Sequence, residues 1–247
     1  DKAIGYGVPV RIDLRSPDGA LRRVVLHTAT ANDFGHDRRA DRAAEALLSF
    51  DTYGLIPDHV RPIDVGAITK DGHFLSLREA GEFYVLTTYA DGTIYAGDLA
   101  RVAKEGRAGE ADLARATRLA RYLASLHAVK GQRAAAYTRA VRDLVGSGEG
   151  IFGIVDGYPD GVPAAPPARL QAIERAAVAA RHRLRGLRDR LSRTHGDFHP
   201  FNIVFDERGE LVLLDTSRGS EGDPADDVTC LSINYLFFSL DAEGSSA

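Results

Sequence analysis

Thr194-His195-Gly196-Asp197-Phe198-His199-Pro200-Phe201-Asn202, followed further on by Leu213-Leu214-Asp215, is the stretch that decides how this chain reads. It sets Asp197, Asn202 and Asp215 at intervals of five and thirteen residues. Phosphoryl transfer calls for such a set. One carboxylate orients and deprotonates an attacking hydroxyl, while an amide oxygen and a second carboxylate hold magnesium on the nucleotide phosphates. Residues 203–205 and 211–214 are short apolar runs around Asp206-Glu207-Arg208-Gly209-Glu210, which predicts a β-hairpin. That hairpin would present Asn202 just before its first strand and Asp215 at the end of its second, so that one ion could bridge them.

Two other readings of the same residues stand beside this one. Asp and Asn are common turn formers, so Asp197 and Asn202 could be turn residues and Asp215 a strand-end cap. A metal hydrolase built on His195, Asp197, His199 and Asp215 would also use this residue set. In that case Asn202 would have no role, and an H-x-D-x-H strip on a loop has no fixed face.

The residues resemble the aminoglycoside phosphotransferase family, the bacterial branch of the protein-kinase-like fold. Its catalytic loop reads H-G-D-x-x-x-x-N, which His195, Gly196, Asp197 and Asn202 match. Gly222-Asp223-Pro224-Ala225-Asp226-Asp227-Val228 resembles the G-D-P-x-x-D-L segment that follows the family's metal-binding Asp. The resemblance implies an α+β, bilobal fold, with a small β-rich nucleotide-binding lobe over residues 1–90 and a mostly helical lobe over 91–247. It implies Asp197 as catalytic base, Asn202 and Asp215 as magnesium ligands, and Asp227 as a brace for the loop. It also implies ATP, or GTP, as donor and a small-molecule hydroxyl as acceptor. A protein kinase fits less well, because no A-P-E segment follows Asp215.

In the N-terminal third, Gly5-Tyr6-Gly7 leads into Val8, Val10, Ile12 and Leu14, a period-two strand, and Asp18-Gly19 turns into a second strand. By the resemblance, Gly5 and Gly7 would let backbone amides approach phosphate closely; an ordinary hairpin explains them equally well. The family places a Lys on the next strand, paired to a Glu on the following helix. Here His27 stands at the Lys position, and Glu45, on a helix expected over residues 38–50, is the candidate partner. His27 could serve if protonated, an Arg among Arg38, Arg39 and Arg42 could reach in, or the chain could be a nucleotide-binding pseudokinase. Residues 83–88 read as a buried strand ending in a turn, with Thr88, Tyr89 and Ala90 as the hinge facing the purine.

Further on, residues 110–129, 132–145 and 170–191 read as helices, with Leu113, Leu119, Leu123 and Leu126 on one stripe of the first. After Asp215, Pro224 and the acids around it mark a helix start. There Asp226 reads as a cap, and Glu221, Asp223 and Asp226 could instead meet a cationic acceptor.

Composition sets the outer bounds. Over 247 residues, 44% are apolar and 27% charged, with a net charge of -4. Those values suit a soluble globular chain and argue against nucleic acid as a partner. No run approaches the roughly 20 apolar residues of a membrane span. One cysteine, Cys230, in an apolar setting, reads as a core residue and fits a cytoplasmic location. The chain opens on Asp1 and has no methionine, so a longer natural chain is expected.

Overall fold

The computed structural model describes residues 7–244, with the side chains of Val8 and of residues 241–244 outside the description. The chain divides into two units, residues 1–87 and 88–247.

In the first unit, β1 (Gly7–Arg15) pairs antiparallel with β2 (Leu21–Ala29), in the register Arg15↔Leu21 to Gly7↔Ala29. Gly19, at φ +85°, makes the turn between them, a conformation that favours glycine. Helix α1 (Arg39–Tyr53) starts with Asp41 accepting from the Arg38 backbone N–H at 3.0 Å, as an acidic residue in a first turn should. β3 (Gly66–Ile68) and β4 (Phe74–Ser76) form a second antiparallel pair. No residue of this unit is buried among those described.

One expectation fails here. Residues 83–88 form no strand, and Tyr84, Val85 and Leu86 are 90, 87 and 91% exposed. A strand needs a neighbour to accept its N–H and C=O groups. The two sheets of this unit are separate two-stranded pairs, β1-β2 and β3-β4, and neither pairs with this segment. An apolar pattern says which residues favour burial; it cannot supply the partner.

The second unit holds the core. β5 (Thr93–Ile94) runs into α2 (Tyr95–Glu105), which ends where Gly106 turns left-handed. α3 (Glu110–His127) begins with Asp112 capping the Gly109 N–H at 2.8 Å. α4 (Ala134–Gly146), α5 (Ile151–Asp156) and α6 (Pro167–Leu184) follow, α6 with Pro at its first position, where the missing N–H costs nothing. β6 (Ser192–Arg193) leads to the His195–Asn202 loop, which closes in a 3₁₀ turn. The expected hairpin is present: β7 (Ile203–Phe205) and β8 (Leu211–Leu213) pair antiparallel, and β5 adds to β7. β9 (Glu221–Gly222) pairs with β6, and α7 (Pro224–Gly244) closes the described chain.

Tyr95, Leu99, Leu119, Leu123, Phe198, Ile203, Phe205 and Leu231 form one cluster. Complete burial of a side chain such as Leu119 or Ile203 contributes about 1.5–3 kcal/mol. The cluster joins α2, α3, α7 and the hairpin around Phe198, so the loop that carries the motif is anchored by its own buried ring. No helix among the described residues is long and apolar enough to cross a membrane.

Asp223 is 8% exposed. It accepts from Arg190 at 2.6 and 2.7 Å, from the Tyr137 hydroxyl at 2.8 Å, and from the Ala225 N–H at 2.9 Å. Asp223, and not Asp226, therefore caps α7. Burial alone would raise its pKa, but the Arg190 fork and the other donors outweigh that and hold it below the ordinary 3.8. A depressed folded pKa gives stability that is present above the unfolded value and lost as pH falls through the folded one. Asp223→Asn is therefore expected to cost about 2 kcal/mol at neutral pH. The variant should also lose less stability than the parent between about pH 4 and pH 2, read by urea unfolding followed by circular dichroism.

Candidate active site

The His195–Asn202 loop is held from below by one carboxylate. Asp227, fully buried, accepts the His195 N–H through Oδ2 and the Gly196 N–H through Oδ1, both at 2.9 Å. The His127 ring closes on Oδ2, also at 2.9 Å, from the end of α3. Gly196 lies at φ +80°, and a Cβ there would meet the Gly219 carbonyl oxygen at 2.7 Å. Only glycine meets both conditions, which accounts for the second letter of H-G-D in this chain.

From that base the loop turns tightly. The His199 N–H bonds the Asp197 carbonyl and the Asn202 N–H bonds the His199 carbonyl, both at 2.9 Å. Asn202, 8% exposed, donates from its side chain to the Asp197 carboxylate at 3.0 Å and to the Asp197 carbonyl at 3.2 Å. Its side-chain oxygen has no hydrogen-bond partner among the described residues. The Asn202 carbonyl accepts the Leu214 N–H at 2.9 Å, so Asp215, the next residue, leaves the hairpin beside Asn202. Asp215 is exposed, has no hydrogen-bond or ion-pair partner among the described residues, and stands at φ +33°. The loop and hairpin thus bring Asp197 and Asn202 into contact and deliver Asp215 at the same end.

His199, named from the sequence only within the hydrolase set, makes local contacts. Its Nδ1 accepts the Phe201 N–H at 3.2 Å, which leaves the proton on Nε2, 3.4 Å from the Asp197 carboxylate. The signal was present as a His two residues past an Asp, but without the 3₁₀ turn the facing of the ring could not be read. His195 turns the other way: its Nε2 meets the Leu214 carbonyl at 2.9 Å, and its Nδ1 is buried without a partner. No group of three His, Cys, Asp or Glu among the described residues converges as a metal cage, so the hydrolase set does not assemble.

The acids after Asp215 are committed within the fold. Arg218 grips Asp226 at 3.0 and 3.2 Å, Arg190 grips Asp223, and Arg133 meets Glu221 at 3.1 Å. The cation-meeting role that the sequence left open for them is therefore taken by arginines. Burial, against the pull of Arg218 and with Asp227 and Asp197 nearby, raises the Asp226 pKa above its ordinary value. Burial first, and the Asp197 charge after it, push the Cys230 thiol up to about 11. Cys230 is half-buried and remains a protonated thiol.

The residues assigned from the N-terminal third are in the first unit. His27 is exposed on β2, opposite Pro9. Glu45, on α1, lies 3.3 Å from His36, and no ion pair joins it to His27 among the described residues. Gly7 opens β1, where a Cβ would meet the Thr28 carbonyl oxygen at 2.3 Å; Gly5 lies outside the described residues. Thr88, Tyr89 and Ala90 open the second unit in irregular backbone, with Tyr89 88% exposed.

A profile described as the phosphotransferase enzyme family (APH) matches residues 18–244, nearly the whole chain, and the chain belongs to that family. The kinase-like, α+β class that the loop resembled is thereby established. Comparison with curated proteins and with solved structures finds no match.

Asp227→Ala is expected to destabilise the protein by about 3 kcal/mol, because two buried N–H donors lose their acceptor. His127→Ala should cost about 1 kcal/mol, since one hydrogen bond goes and the carboxylate keeps its backbone donors. Chemical denaturation of the two variants side by side measures the difference.

Proposed function

We propose that the protein transfers the γ-phosphoryl group of ATP to a hydroxyl of a small molecule. The observation that carries the reading is the contact of Asp197 with Asn202, tied through the Asn202–Leu214 backbone hydrogen bond to Asp215. The roles follow from the chemistry of these groups. Asp197 orients the acceptor hydroxyl and takes its proton. The acceptor oxygen forms a bond to the γ-phosphorus as the bond from that phosphorus to the bridging oxygen breaks, and ADP leaves with the electron pair. Asn202 fixes the Asp197 carboxylate through its amide nitrogen. The Nε2–H of His199 faces the same carboxylate at 3.4 Å and helps to orient it.

Magnesium fits the donor set: the Asn202 side-chain oxygen and the Asp215 carboxylate are hard oxygen ligands not engaged by the protein. Two such ligands plus substrate phosphates suit its preference for partial hydration. Bound there, the ion would neutralise charge on the transferring phosphate. GTP as an alternative donor and a cytoplasmic setting belong to the same proposal.

Asp197→Ala should lower magnesium-dependent phosphate transfer by about 10²–10⁴-fold while leaving nucleotide affinity within about twofold. Unchanged turnover in that variant would remove Asp197 from the mechanism. Transfer is read with labelled ATP and affinity by calorimetry.

A second reading, a nucleotide-binding protein without turnover, draws support from the pairing of Glu45 with His36 and the exposure of His27. His27→Lys separates the two. A gain of about tenfold or more in ATP affinity would mark the native site as impaired, and no gain would mean that His27 or a nearby arginine already serves.

A further inference from the structure

A cavity of about 130 Å³ lies within the second unit, directly behind the His195–Asn202 loop. Val141 and Leu144 of α4 and Leu184 of α6 give it apolar lining, and Thr194 and Gly196, which lead the chain into Asp197, line it together with Arg218. A cavity of about 150 Å³ holds one benzene ring, so this one takes a single ring or a chain of about four to six carbons. Of a molecule of three linked aminosugar rings, no more than one ring would seat in it.

Charge points the same way. Four acids, Asp143, Glu221, Asp223 and Asp226, line the cavity, which at first suits a polycation. Each of the four is already paired. Asp143 meets Arg139 and Arg142 at 3.1 Å, Glu221 meets Arg133 at 3.1 Å, and Asp223 and Asp226 hold the forks of Arg190 and Arg218. An ammonium group entering would lose its water and find no uncommitted carboxylate, a loss that pairing must offset.

The wall does carry a neutral handle. Thr194 is 4% exposed, and its hydroxyl has no hydrogen-bond partner among the described residues. A hydroxyl in that position donates to or accepts from another hydroxyl.

From these observations we infer that the acceptor is a compact alcohol without positive charge. It seats its apolar flank on Val141, Leu144 and Leu184 and bonds through one hydroxyl to Thr194. The inference rests on the phosphotransferase reading above, because it makes this cavity the acceptor side of the Asp197 loop. A second hydroxyl of the same molecule is the one whose oxygen becomes bonded to phosphorus, with its proton passing to Asp197 and ADP departing.

Two measurements on the full chain test it. Ligand-observed NMR with cyclohexanol and myo-inositol reads binding without nucleotide, and calorimetry with magnesium and ATP reads the donor site separately. At least one probe is expected to bind. Ala140→Leu, which fills the cavity from α4, and Thr194→Val, which keeps the shape and deletes the hydroxyl, should each weaken it by at least about tenfold with ATP affinity unchanged. Kanamycin in excess should neither displace the probe nor accept phosphate. The assignment is overturned if neither probe binds, if both variants bind like the parent, or if kanamycin displaces the probe or is phosphorylated. Probe binding with no nucleotide binding would instead sink the kinase reading and leave the cavity as a binding site of another kind.

Discussion

A buried carboxylate must be met by donors or it destabilises the fold, and Asp227 meets that constraint in a way that organises its surroundings. Its two oxygens take the N–H groups of His195 and Gly196 and the ring of His127. Those partners come from the loop and the end of α3, while Asp227 itself is on the first turn of α7. Three parts of the chain far apart in sequence are thus fixed to one atom pair. The geometry of Asp197 follows, because the residue before it is pinned at both its N–H and its φ.

The same logic runs through the arginines. The chain has 31 basic residues, of which only four are Lys. In the second unit many of the arginines face carboxylates, as forks on Asp223 and Asp226 and as single contacts on Asp143 and Glu221. A planar guanidinium meets a carboxylate with two parallel bonds, which a Lys ammonium cannot do. The excess of arginine over lysine is thus in part the bracing of the acids behind the loop.

What the sequence disclosed depended on range. The hairpin of β7 and β8 was legible because its strands are adjacent and the turn between them is written in the intervening residues. Helices α1, α3, α4 and α6 were legible from their stripes, although the one read over 170–191 ends at Leu184, and α2 and α5 went unread. The brace on the loop was readable only through the resemblance, since nothing local in Asp227 says that His195 and Gly196 lie above it. Residues 83–88 misled for the complementary reason. Their β-branched and aromatic character states a preference, and the partner strand that would satisfy it is a long-range fact. Glu45 shows a third case, a helical residue whose neighbour His36, nine residues back, takes the contact expected for a strand residue further away.

Asp215 carries one more consequence. A residue with a Cβ at positive φ costs about 1 kcal/mol against glycine, and an aspartate is among the side chains that bear it best. Replacing it by glycine would relax the backbone just past β8 and remove the free carboxylate in the same step. Stability and the proposed chemistry therefore pull in opposite directions at this one position. Any search for a hardier version of the protein that scores thermal tolerance alone will be drawn toward the change that removes the proposed metal ligand.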